Sequence, residues 1–423
     1  MSAGAAEPEV PILALPRAQR FERIAIPGLV ALLLIAAGAF VWAHPMEPVW
    51  DQRALLASSF EGPIVPSPAR GFTSQLVVAL QQIVSPWSEQ QNEQVKLVAM
   101  LLYVLSATLL ASALLERRAL VALIPLFLFS SQYPFLWLSS ELFVGAFLCF
   151  ALTAWVHQRL RLAGVLLALL ALCKPDLILV AGALGIYWAL HSPDRRGALE
   201  LGGAFAGSLG LLLLPGLALH GFDYFHDYNQ RAGGRSFTSF SQHYAALIAP
   251  LQVLGSPPNP WEHSGVYVDH IFPGAETMLD VIRRGLPHYV EFVALSCVRG
   301  AFRALYVLNY AVLALPLLIW GWYRGGFRFT PAEKSLGLAF IGLLPLVLLA
   351  FPHVRYYARF YPLFLILVFV VIERLWTLED RALRNRCLGV AGLCLATSLL
   401  ANTGRLLQSI VRIDGLSQYW FPD

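Results

Sequence analysis

The chain has 423 residues, of which 57% are apolar and only 13% are charged, and its formal net charge is +4. Ordinary globular domains are about 25% charged, and the mean hydropathy here is +0.63. So few charges cannot cover the surface of a water-soluble protein of this size, and a nucleic-acid binder would need clustered Lys and Arg. The composition therefore excludes a soluble enzyme, a disordered chain and a nucleic-acid partner, and it predicts a protein surrounded by lipid.

Apolar runs recur along nearly the whole chain. Residues 1–24 are polar and contain three arginines, which predicts a cytoplasmic tail, and residues 25–43 form an apolar run without an A-x-A cleavage site. This run is typical of a spanning helix rather than a cleaved signal peptide. Ten more runs predict an all-α integral membrane protein with about 11 transmembrane helices, in a range of 9–13. They lie at about 97–115, 119–135, 142–156, 162–173, 177–190, 198–219, 304–323, 335–351, 360–372 and 387–401.

The positive-inside rule predicts the orientation. Arginines in the short connections, such as those at 117–118 and 195–196, indicate a cytoplasmic N-terminus. The two long hydrophilic segments, 44–96 and 220–303, then face the outside, where we expect them to carry short interfacial helices. Because no repeat or Gly/Ser linker divides the chain, residues 25–423 are predicted to form a single polytopic domain.

Two carboxylates follow apolar runs at the predicted outer face. Asp51 comes about eight residues after the first run, and Glu141 ends the connection between the third and fourth runs. A carboxylate just outside the lipid can act as a general base for an acceptor hydroxyl. The alternatives are a solvated loop acid for Asp51 and a helix cap for Glu141.

Cations stand at two other outer connections. Lys174, one of three lysines, interrupts an apolar stretch together with Pro175 and Asp176, and it either binds a lipid phosphate or pairs locally with Asp176. The connection F-P-H-V-R-Y-Y-A-R-F-Y-P combines a histidine and two arginines with aromatic residues. It is either a phosphate clamp or an aromatic belt with snorkelling arginines. Its polar residues are His353, Arg355 and Arg359.

No metal site is predicted. Asp223 lies in H-G-F-D-Y-F-H-D, directly after the seventh run, but the spacing of its acids and histidines matches no ligand motif, so an interfacial amphipathic segment is favoured. The five cysteines show no C-x-x-C spacing and are expected to be buried. Nucleotide-binding and standard hydrolase motifs are also missing from the sequence.

Four of these segments, in order along the chain, resemble the GT-C superfamily of integral membrane glycosyltransferases, which includes protein mannosyltransferases and aminoarabinose transferases. They are W-D-Q-R-A-L-L-A-S-S-F-E-G, S-S-E, L-L-A-L-L-A-L-C-K-P-D and H-V-R-Y-Y-A-R-F-Y-P. The commoner family pattern has a second acid directly after the first, where this chain has Gln52. That difference favours a single base over metal-assisted variants.

The resemblance implies a polyprenyl-phosphate-linked sugar donor, transferred on the periplasmic side of the bacterial inner membrane to a lipid, glycan or protein acceptor. It implies no cofactor, while leaving room for a divalent cation. It implies that Asp51 is the catalytic base. The resemblance and the location of the charges together assign the donor phosphate to Lys174, Arg355 and Arg359, with further substrate contacts from Glu141, Asp176, Asp223 and His353.

Two other classes of function stay open. A transporter or lipid flippase would carry inverted repeats and polar residues near the middle of the membrane, whereas the ionisable residues here stand at helix ends and in outer loops. The third class is a non-catalytic protein of envelope assembly.

Overall fold

The protein is all-α in the residues that the computed structural model describes, and no β-strand occurs among them. These residues are 76, 91–130, 140–174, 177–192, 194–221, 237–238, 240–245, 247, 268–269, 271–307, 310–349 and 354–411.

Within this part of the chain, helical residues occur at 76, 237–238, 240–245, 247, 268–269 and 271, and in addition eleven α-helices and one six-residue 3-10 helix have defined bounds. They are α1 (Gln91–Leu114), α2 (Arg118–Ser130), α3 (Ser140–Val156), α4 (Leu160–Cys173), α5 (Leu177–Leu190), α6 (Arg195–His220), α7 (Met278–Val307), α8 (Ala311–Arg324), α9 (Pro331–Leu349), the 3-10 helix (Val354–Arg359), α10 (Tyr361–Trp376) and α11 (Arg381–Val411).

Each of the ten predicted apolar runs after the first coincides largely with one of these helices. The first run, 25–43, lies outside the described residues. Two of the described helices are long and apolar enough to cross a membrane. Their candidate spans are Leu97–Leu114 and Arg195–Ala218. Five further apolar helices are shorter, with 10–17 residues each.

Helix α7 differs from the sequence-based expectation, which was short helices before residue 304. It consists of two helical parts within Met278–Val307, joined by a kink at Gly285, where φ is −145° and ψ is 45°. The ring of Phe272 packs so closely against Gly285 that a β-carbon would collide with it. From Phe292 onward α7 is largely apolar, and this apolar part continues the run that had been assigned to a span starting at 304.

Helix α10 lies at the centre of the bundle. It contacts α1, α2, α3, α8, α9 and α11, and 11 of its residues are buried. On one side of it, α3 packs between α1 and α4, and α4 packs against α6. Gly164 permits the close approach of α4 to α6, because a β-carbon there would meet the Ala204 β-carbon and the Phe205 nitrogen, both at 3.0 Å.

Polar contacts join several helix ends at one end of the bundle. The Glu373 carboxylate, near the end of α10, accepts hydrogen bonds from the backbone nitrogens of Glu116 at 3.1 Å and Arg117 at 2.7 Å. The Arg117 guanidinium lies 4.4 Å from the centre of the Trp376 ring. These contacts fasten the turn between α1 and α2 to the end of α10.

The start of α9 belongs to the same end. Thr330 and Glu333 form a capping box, in which each side chain accepts the other residue's backbone N–H. Glu333 also forms an ion pair with Arg374 at 3.2 Å. Acidic and basic residues therefore hold together the turns at this end, and the candidate site lies among helix ends elsewhere in the bundle.

A second, smaller core lies in the long segment between α6 and α8. Phe240, Tyr244, Phe272 and Phe292 are fully buried against one another, with ring centres 5.0 to 6.1 Å apart. Burial, with a smaller contribution from Glu291, raises the pKa of Tyr244 to about 12. This segment therefore has packed structure of its own.

Large apolar side chains cover much of the outer surface of the helices. Examples with at least 74% exposure are Leu179, Leu190, Leu199, Tyr323 and Leu400. Soluble monomers rarely expose a large apolar surface, which instead indicates contact with lipid or with another protein.

Candidate functional site

A buried carboxylate between two cations forms the candidate site. Glu141 is 1% exposed, and its Oε2 accepts a hydrogen bond of 2.6 Å from Nε of Arg359, which is itself 2% exposed. Its Oε1 accepts a hydrogen bond from the Lys174 ammonium, whose side chain is 22% exposed. We call these three residues the Glu141 cluster.

Each of the three charged side chains lies at a helix end whose dipole favours its charge. Glu141 lies in the first turn of α3, where the positive end of the helix dipole favours a carboxylate. Lys174 directly follows α4 and has extended backbone, and Arg359 ends the 3-10 helix. Cations are favoured at the C-terminal ends of helices. The helix dipoles and the ion pairs therefore stabilise the same arrangement of charges.

Gly145 brings the 3-10 helix close to α3. It lies one turn after Glu141, and a β-carbon there would approach the Tyr103 ring to 2.6 Å and the Arg359 carbonyl oxygen to 3.4 Å. The Tyr103 hydroxyl donates a hydrogen bond of 2.5 Å to the Ala358 carbonyl, next to Arg359. Close packing on α3 and a hydrogen bond from α1 thus fix the position of the arginine.

Tyr356 adds an aromatic face to the cluster. Its ring centre is 4.9 Å from the Lys174 ammonium nitrogen and 5.0 Å from the Arg359 guanidinium carbon. Cations are attracted to aromatic faces at such distances. From the sequence, Tyr356 was recognised only as one of several interfacial aromatic residues. No local sequence pattern indicates that Tyr103 contacts the site.

The charges of the cluster define what it can bind. One carboxylate and two cations leave a net charge of +1 at the apolar helix ends. Arg359 is buried and paired with Glu141, whereas the Lys174 side chain is partly exposed. Among these three groups, Lys174 is therefore the one that can contact an anionic ligand from outside, while Glu141 and Arg359 hold it in place.

The structure thus unites three residues that the sequence had assigned to separate connections. Glu141 was expected to contact substrate or cap a helix, and in the structure its carboxylate accepts hydrogen bonds from two cationic side chains. Arg355 lies on the same 3-10 helix, four residues before Arg359. Asp51, Asp176, Asp223 and His353 lie outside the described residues.

Among the described residues, no group of three or more His, Cys, Asp and Glu side chains is placed to hold a metal ion. Comparison with known proteins finds no matching family model, no similar curated protein and no similar solved structure.

Proposed function

We propose that this protein is a membrane glycosyltransferase that moves a sugar from a polyprenyl-phosphate donor to an envelope acceptor on the outer face of a bacterial inner membrane. The observation that carries the proposal is the Glu141 cluster, which presents a partly exposed lysine beside buried charges at the ends of apolar helices. Such a place suits a lipid-linked phosphate, whose polar group lies at the interface while its chain stays in the bilayer.

In the proposed reaction, Lys174 stabilises the leaving phosphate. When the bond between the sugar and the phosphate breaks, negative charge grows on the phosphate oxygens, and a fixed cation lowers the energy of that transition state. Arg359 and Glu141 are positioning residues in this proposal, since their mutual pairing fixes the distance and direction of the ammonium. Arg355 supplies a second cation from the same 3-10 helix.

The catalytic base in this proposal is Asp51. An ordinary aspartate is ionised at neutral pH, so it can accept the proton of an acceptor hydroxyl without a shifted pKa. The acceptor oxygen then attacks the anomeric carbon, and the phosphate leaves with the bonding electrons. The residues Asp176, Asp223 and His353 are proposed to contact the substrates around this centre.

We further propose about 11 membrane spans with a cytoplasmic N-terminus. Contacts between the turns support this arrangement, because connections that the proposed topology assigns to the same side of the membrane contact one another. Three such contacts lie on the proposed inner side. Glu373 accepts hydrogen bonds from the backbone of the turn at 116–117. Glu333 forms an ion pair with Arg374, and Arg161 forms one with Glu200 at 3.0 Å. The Glu141 cluster joins three connections on the proposed outer side.

A reconstituted transfer assay tests the proposed function. The purified full chain is placed in liposomes with polyprenyl-phosphate sugars and candidate acceptors, and labelled product is counted. Asp51→Asn keeps the size of the side chain but removes the base, so turnover at saturating donor and acceptor should fall by about 10²–10⁴-fold. Activity within about threefold of wild type would remove Asp51 from the mechanism.

The second candidate function is transport or flipping of a lipid-linked substrate. The observation that favours it is the burial of Glu141 and Arg359, because buried ion pairs in apolar helices often mark transport pathways. Liposomes separate the two functions. Movement of a labelled lipid-linked sugar between leaflets, without a new glycosidic bond, would favour the transporter, whereas a glycosylated product favours the transferase. A protein with neither activity fits the envelope-assembly class.

A further inference from the structure

Arg299 is a half-buried arginine in the apolar part of α7. From Phe292 to Val307 this helix contains no acidic residue, and its two arginines, Arg299 and Arg303, are one turn apart. No hydrogen bond or ion pair involves the Arg299 side chain in the described part of the chain. Burying a charge without a counter-ion costs free energy, so an anion bound beside Arg299 would stabilise this arrangement.

Ser296 provides a second polar group on the same face of α7. It precedes Arg299 by three residues, a spacing that places two side chains next to each other on a helix. Its hydroxyl is fully buried and has no hydrogen-bond partner among the residues that the structure describes. Ser241 and Ser398, by contrast, donate to the carbonyl four residues earlier, at 2.9 and 2.8 Å. Ser296 therefore retains a donor that the helix backbone does not use.

This face of α7 lies beside the 3-10 helix of the Glu141 cluster, and exposed apolar side chains lie on its other side. The Gly300 carbonyl, directly after Arg299, accepts a hydrogen bond of 2.7 Å from Tyr357 on the 3-10 helix. On the other side, Val298 is 55% and Phe302 is 69% exposed. Arg299 thus lies between a helix that carries cations and an apolar surface that a lipid chain can cover.

We propose that Ser296 and Arg299 form an anion site for a phosphate group, separate from the site at Lys174. A guanidinium binds two phosphate oxygens at once, and a serine hydroxyl can donate to a third. An arginine that only reached toward water would not need a buried donor beside it. The phosphate comes from a phospholipid headgroup or from free phosphate. The proposal does not depend on sugar transfer, because it concerns binding at other residues.

Binding to the delipidated full chain in detergent micelles tests the site. The probes are phosphatidylglycerol and inorganic phosphate, with diacylglycerol as the lipid that lacks phosphate, and bound molecules are counted by native mass spectrometry. The test variants are Arg299→Gln and Ser296→Ala. Arg283→Gln, an exposed arginine of the same helix, is the matched control, and Arg299→Lys retains the charge.

A phosphate site predicts that Arg299→Gln weakens binding by about tenfold or more and Ser296→Ala by about threefold, as expected for charged and neutral hydrogen bonds. Arg283→Gln should stay within about twofold of wild type, since an exposed arginine contributes little. The same loss for Arg299→Gln in a Lys174→Met background separates this site from the proposed donor site.

The two phosphate probes identify the source. Arg299-dependent binding of inorganic phosphate shows that the anion alone is sufficient, and dependence seen only with phosphatidylglycerol shows that the lipid is the ligand. Equal binding by wild type and Arg299→Gln for both probes, or an equal loss for Arg283→Gln, overturns the proposal. If Arg299→Gln does not fold, unchanged binding by Ser296→Ala overturns it instead.

Discussion

At the scale of single residues, the Glu141 carboxylate has the largest structural consequence. It neutralises two cations, one of them fully buried, so its removal takes away the carboxylate that Lys174 and Arg359 share. Breaking a buried ion pair by removing one partner typically costs about 3–5 kcal/mol, because the remaining charge stays desolvated.

We therefore expect Glu141→Gln to lower the free energy of unfolding in mixed micelles by about 3–5 kcal/mol. Glu200→Gln is a matched control, because Glu200 also pairs with two arginines, Arg161 and Arg196, at 3.0 and 3.4 Å, but both are exposed. Its loss should cost no more than about 1 kcal/mol. Equal effects of the two substitutions would contradict a structural role for the Glu141 cluster.

The double variant Glu141→Gln/Lys174→Met refines this prediction. Removing the lysine as well takes away one of the two cations that lost the shared carboxylate, so part of the lost stability should return. A double variant that is less stable than Glu141→Gln alone would show that Lys174 stabilises the fold through other contacts, such as its approach to the Tyr356 ring.

Lys174 has a functional prediction of its own, which rests on the proposed transferase activity. Lys174→Met should raise the KM for the lipid donor by about tenfold or more, the effect of losing a charged hydrogen bond. The KM for the acceptor should stay unchanged. Lys334→Met removes an exposed lysine at the start of α9, on the proposed inner side, and serves as control. A wild-type donor dependence in folded Lys174→Met would separate this lysine from donor binding.

At the scale of helices, close packing at glycine determines how α4 meets α6. Gly164→Ala would bring a β-carbon against the Leu201 carbonyl oxygen and the Phe205 nitrogen. These atoms belong to the backbone and cannot move away without shifting the helix. Alanine favours helix by about 1 kcal/mol over glycine, but overpacking of this kind costs about 1–3 kcal/mol.

The expected result is that Gly164→Ala lowers the unfolding free energy, whereas Gly182→Ala on α5 leaves it unchanged or raises it, because a β-carbon at 182 meets nothing within 4 Å. Unfolding of both variants in mixed micelles provides the comparison. Two variants with equal stabilities would contradict the close contact between α4 and α6.

The sequence predicted most of the described helices, because uniformly apolar runs have few alternatives in lipid. It misplaced the helix boundary near 304, since the apolar stretch continues from α7, which ends at Val307, into α8, which begins at Ala311. Lys174 and Arg359 were recognised as cations at helix ends. Their common partner was not, because Glu141 precedes them by 33 and 218 residues and no local pattern encodes such a contact.

At the scale of the whole molecule, the charges separate into two sets of contacts. One set joins the turns near Arg117, Glu333 and Arg374, and the other is the Glu141 cluster. If the chain crosses the bilayer as proposed, the first set faces the cytoplasm and the second faces the periplasm. The proposed reaction requires this orientation, because the long segments and the cluster must share one side.

Cysteine labelling measures the orientation directly. Cys297 is exposed and is first replaced by serine, so that it does not react. In that background, Ser256→Cys probes the long segment between α6 and α7, and Arg328→Cys probes the connection between α8 and α9. In spheroplasts, a membrane-impermeant maleimide should label the cysteine at 256, while the cysteine at 328 should react only after permeabilisation, because charged reagents do not cross the bilayer. The reverse pattern would place the Glu141 cluster in the cytoplasm, and labelling of both positions in intact spheroplasts would contradict an odd number of spans between them.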